Sequence, residues 1–177
     1  MKNIKLLLIA LCTTLTTFAQ VPQNLESELV LLNVKTGKEK VILREKRHFE
    51  APNWSRDGKY LIINSNGLLE KVSVKGEKLG IIDTGFANRC NNDHGLSFDG
   101  KWLIVSHNDP TVTAQGGNSR IFILPLSGGV PRLITGNAPS YWHGVSPDNQ
   151  WVVYCAMINV EWDVYKSHMI TDEEIRL

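Results

Sequence analysis

The sequence predicts an all-β chain, a β-propeller of four-stranded antiparallel blades, and three observations predict it. A turn signature, Ser-x-Asp followed by Gly or Asn, occurs three times, with its serines at Ser55, Ser97 and Ser146, 42 and 49 residues apart. Each copy is followed by an apolar run led by an aromatic residue: Tyr60 to Ile63, Trp102 to Val105, Trp151 to Tyr154. A second hairpin pattern then completes each unit. Periods of about 40–50 residues with several strands per unit mark propeller blades. Composition agrees, since 42% hydrophobic and 21% charged residues are ordinary for a globular chain.

The elements follow in order. Lys2 and Lys5 precede the apolar stretch Leu6 to Leu11, and Thr17 and Ala19 put small residues before Gln20. This reads as a Sec-type signal peptide over residues 1–19, cleaved after Ala19. Cys12 follows Leu11 rather than a small residue, which argues against a lipoprotein anchor. No other stretch approaches the roughly 20 apolar residues of a membrane span. The formal charge of +1 falls to −1 when the two lysines of the leader are removed. Nucleic acid therefore gains no electrostatic support. The expectation is a periplasmic or extracellular protein without a membrane span.

Residues 20–177 form the expected partial propeller domain. It opens with a lone outer hairpin over 28–43, Leu29 to Val34 and Val41 to Leu43 joined at Lys35-Thr36-Gly37-Lys38. Three blades follow, at about 50–83, 92–135 and 140–177. In each, the Ser-x-Asp turn joins the two inner strands, because short polar side chains bond nearby backbone and Gly accepts positive φ. Asn149 replaces Gly in the third copy, and Asn tolerates the left-handed conformation best among side chains. The apolar runs lack polar alternation, as expected of strands covered on both faces. Outer hairpins follow at Leu68 to Ile82, Arg120 to Ile134 and Trp162 to Leu177, with Pro125 and Pro131 in outer strands where a missing N–H is tolerated.

About three and a half blades result, an incomplete ring. The opening hairpin lacks an inner pair, and a closed ring needs at least about four blades. Further C-terminal blades or a homodimer would close it. Cys90 and Cys155 survive leader cleavage; an oxidising compartment permits their pairing, and two free thiols are equally consistent.

The repeats resemble the TolB-like six-bladed propellers, whose WD-like repeat centres on Ser-Pro-Asp-Gly-Lys, over essentially all of 28–177. Asn92 to Ser97 and Pro139 to Ser146 are similar to an exported bacterial subgroup with about twice this repeat count. Arg56 and Phe98 stand where that repeat has proline. The resemblance implies the fold and an N-terminal portion of such a ring. It implies no single activity, since propellers host many.

Strand order in a blade brings the loops entering the inner strand and leaving the second strand to one face. The candidate ligand-binding residues there are Arg89, Asn92, Asp93, His94, His107, Tyr141, Trp142 and His143. His94 and His143 both stand three residues before the repeat serine, and the first copy has Pro52 there. Two imidazoles at one mouth could bind a ligand or a divalent metal; equally, they could be structural, bonding a neighbouring blade. Arg89 could hold a carboxylate or phosphate bidentately or form a surface salt bridge. Tyr141 and Trp142 could stack on a sugar or pack between blades. HExxH, GxSxG, GxGxxG, Walker A and EF-hand motifs are absent from the sequence. The expected function is a binding or scaffold module for a protein, peptide or glycan. The alternatives are a metal-dependent carbohydrate-active enzyme similar to oligogalacturonate lyases and a truncated gene product without independent function.

Overall fold

The computed structural model describes residues 24–177, so the expected signal peptide lies outside the described residues. Fourteen strands form one two-stranded and three four-stranded antiparallel sheets. The two-stranded sheet pairs β1 (Ser27–Leu32) with β2 (Glu39–Glu45). The first blade contains β3 (Glu50–Trp54), β4 (Tyr60–Ser65), β5 (Leu68–Ser73) and β6 (Lys78–Ile81). The second contains β7 (Cys90–Leu96), β8 (Trp102–Asn108), β9 (Ser119–Pro125) and β10 (Arg132–Leu133). The third contains β11 (Ser140–Val145), β12 (Trp151–Ile158), β13 (Glu161–His168) and β14 (Glu174–Arg176). Within each blade the strands pair in sequence order, and among the described residues the sheets do not close a ring.

The repeat turn owes its shape to its side chains. Ser55 Oγ donates to Asp57 Oδ1 at 2.7 Å and accepts from the Tyr60 N–H at 3.1 Å. Ser97 does the same with Asp99 and Trp102, and Ser146 with Asp148 and Trp151. These serine hydroxyls, and then backbone N–H groups, hold the three aspartates below the usual carboxylate range. Asn149 stands at φ 59°, where Gly58 and Gly100 have 71° and 69°. The third turn therefore keeps its left-handed residue without glycine.

Blade-to-blade packing explains the unbroken apolar runs. On β8, Leu103 and Val105 face the first blade and join Ile62 and Leu69; Ile104 points the other way and joins Val152 and Tyr154. β9 divides likewise, with Phe122 and Leu124 toward the first blade and Ile121 and Ile123 toward the third. Leu61 and Ile63 pack under Leu29 of the opening hairpin. A strand sandwiched between sheets needs apolar residues at every position. β12 has the same uniform sequence, but its burial alternates. Its second face carries Val153, Cys155 and Met157, paired to Lys166, Val164 and Trp162. There Val164 and Trp162 remain 42% and 48% exposed.

Cys90 and Cys155 are free thiols. Cys90 Sγ donates to the Ala87 carbonyl, and burial pushes its thiol up to about 12. Cys155 lies on β12, half-buried.

Candidate functional site

The strand order gathers one cluster of loops above the inner strands. The β4–β5 turn contributes Asn66 and Gly67, the approach to β7 contributes Arg89, and β8 ends at Asn108. Gly117 and Asn118 precede β9, and Tyr141 opens β11. Together with Cys90 these residues line an open cavity of about 540 Å³.

Its backbone is fixed from below. Asn64, buried on β4, donates from Nδ2 to the carbonyls of Cys90 and Asn91 and accepts from the Gly67 N–H. The Cys90 N–H donates to the Gly67 carbonyl at 3.1 Å. Gly67 has φ 85°, and an added Cβ would lie 2.8 Å from the Asn88 carbonyl, so glycine is required there. Arg89 is clamped on both backbone groups: its N–H donates to His107 Nδ1 at 3.2 Å, and its carbonyl accepts from the Asn108 N–H at 2.9 Å.

His107 is thus a support under Arg89. As an Nδ1 acceptor it carries its proton on Nε2. Phe86 and Phe122 meet it edge-on, with centroids 6.2 and 5.8 Å away. Burial holds its pKa below the ordinary histidine value. The nearby Asp109 carboxylate is engaged by Arg120 and by the Thr111 backbone and hydroxyl. Burial alone would raise its pKa; these partners bring it down to about 2. Asp109 is therefore committed to Arg120, while the Arg89 guanidinium has no ion-pair partner among the described residues.

The remaining predicted residues separate by environment. His94 is 1% exposed, and neither ring nitrogen makes a well-aligned hydrogen bond, although backbone groups of Ile62 and Asn92 lie beside the ring. Burial drives its pKa down to about 4. His143 is exposed. The shared sequence position does not carry over because the inner strands bulge at different places. On β7 the extra residues lie between Cys90 and His94, so His94 pairs in register with Val105. On β11 His143 is itself the extra residue, and Trp142 takes the equivalent register against Tyr154. Trp142 packs against the core between the second and third blades and covers Gly95. Its backbone N–H donates to Ser106 Oγ at 2.9 Å, and its buried indole N–H has no partner among the described residues.

Asn92 is exposed within the β7 bulge. Asp93 is half-buried; burial pushes its carboxyl up, His143 pulls it down and Glu50 pushes it up. His48 Nε2 lies 3.7 Å from Glu50 Oε2. Among the described residues, no group of three or more His, Cys, Asp or Glu is arranged to hold a metal ion. Of the predicted site residues, the cavity therefore brings together Arg89 and Tyr141. It adds Asn66, Asn108, Asn118 and the two glycines. Asn66-Gly67 was the available signal in the sequence, since it occupies the same topological turn as the loop after His107.

Fold and loop cluster define the described chain as a run of β-propeller blades with a polar cavity at one face. An uncharacterized protein of Agrobacterium fabrum is 43% identical over 155 residues, which are 87% of this chain and 51% of that protein. A solved structure assigned as a TolB of Agrobacterium tumefaciens has TM-score 0.77 and 44% identity, covering 85% of this chain and 53% of its own. TolB of Acinetobacter baumannii aligns with TM-score 0.64 at 17% identity over 86% of this chain and 41% of its own, a likeness of fold. No family model matches the chain. The described chain has the fold of the TolB-like β-propellers, and it spans about half the length of the Agrobacterium relatives. Among the described residues no helix is long and apolar enough to cross a membrane.

Proposed function

We propose that this chain is an exported binding module, acting in the periplasm or outside the cell, that takes a protein, peptide or glycan at the loop cluster around Arg89. Export rests on the leader-like pattern of residues 1–19. The observation that carries the binding reading is a guanidinium without a protein counter-ion, set over a cavity of amide side chains and held by a rigid backbone. Concave sites with a few convergent polar groups are where ligands bind. Nothing in the cluster pairs a nucleophile with a base, so binding rather than turnover is the reading the geometry favours.

The test is titration of the purified chain against panels of soluble peptides and oligosaccharides. A ligand recovered chemically unchanged, and bound at least about tenfold more weakly by Asn66→Ala/Asn108→Ala, supports the reading. Turnover of a ligand that His94→Ala abolishes overturns it.

A further inference from the structure

Resting on that reading, we infer that the Arg89 cavity recognises a carboxylate-bearing sugar, an acidic oligosaccharide segment laid across the loop cluster. Three features of the lining converge on this chemistry.

The first is charge. Arg89 is the one charged residue in the lining, no carboxylate lines the cavity beside it, and the nearby acid, Asp109, is already held by Arg120. A free guanidinium fork matches a planar carboxylate. The second is the amides. Asn66, Asn108 and Asn118 each present a carboxamide, which donates and accepts at once, as a sugar hydroxyl does. Asn118 spends one N–H on the Asp109 carbonyl at 2.9 Å, which orients its head group. The third is the ring. Tyr141 lines the cavity, with its hydroxyl side close to Gly117, and Trp162 lies behind it at 5.8 Å between centroids. An aromatic body with a polar tip suits the mixed faces of a pyranose.

An extended peptide fits less well. Peptides gain most of their affinity from main-chain pairing to an unpaired strand edge. This cavity is built from loop and strand-end residues of separate blades; of the edge strands β7 and β11 only Cys90 and Tyr141, near their starts, reach it, too short a stretch of edge to pair with a peptide.

Calorimetric titration of the whole chain with four probes tests the inference: a tetrasaccharide of mannuronic acid, its methyl ester, the neutral mannose tetrasaccharide and tetraglutamate. The acid form should bind at least about tenfold more tightly than its ester or the neutral sugar. Arg89→Gln should erase that preference, and Arg89→Lys should restore part of it, keeping charge without the fork. Arg44→Gln, a surface guanidinium elsewhere on the chain, should change nothing. Arg89 is exposed, so these variants should unfold at the same denaturant midpoint. Equal binding of acid and ester, tighter binding of tetraglutamate, or no binding of any probe overturns the acidic-sugar inference. Neutral sugar binding that still depends on Asn66 and Asn108 would overturn it while leaving the binding reading intact.

Discussion

His94 has no charged partner and almost no solvent, and its imidazole must stay neutral for the native packing to hold. Its pKa falls from the ordinary 6.5 to about 4 in the folded chain. Between those values the unfolded chain binds a proton that the native chain refuses. Stability is therefore complete above pH 6.5 and is lost as pH falls toward 4, by about 3 kcal/mol from this residue. His107, also depressed by burial, adds a loss of the same sign. His94→Leu should flatten the decline, read from urea midpoints at neutral and mildly acid pH; an unchanged slope would show that His94 is not its source. The sequence exposed the histidine but not its burial. Its neighbours Ile62 and Asn92 come from another blade and from a bulge, and neither is implied by the spacing to Ser97.

Inner strands show the same limit at the scale of an element. Gly95 and Gly144 both stand two residues before the repeat serine, and the sequence treats them alike. A Cβ at Gly95 would enter the Trp142 indole of the next blade, while one at Gly144 would meet nothing within 4 Å. Gly95→Ala should cost about 1–3 kcal/mol by overpacking, and Gly144→Ala should be neutral within about 0.5 kcal/mol. Denaturant unfolding of the two variants decides this; equal effects would mean that Trp142 yields freely. Turns and strand order were legible because they rest on local chemistry, such as Ser97 bonding Asp99 and Trp102. The cavity was only half legible. Arg89 and Tyr141 stood out as chemistry-bearing residues, but Asn66 and Asn118 acquire meaning only when three loops meet.

For the whole molecule, the apolar sheet surface of the third blade governs behaviour in solution. Trp162 and Val164 lie there beside Val153, Cys155 and Met157, and the opening hairpin exposes Val30, Leu32 and Val41. Contiguous apolar surface of this kind drives association. The purified chain should gain weight-average mass with concentration in sedimentation experiments, and Trp162→Lys/Val164→Lys should suppress the gain. A strict monomer at every concentration would contradict this expectation. The bulges have a different consequence. At the serine end, all three repeats keep one geometry, which spaces the blades like a gauge. At the other end, each inner strand shifts by its own bulge and presents different chain to the cavity face. A blade of this kind has a fixed end and a rewritable end. Loops at that end are therefore exchangeable between blades, as cassettes, without retuning the packing that holds the blades together.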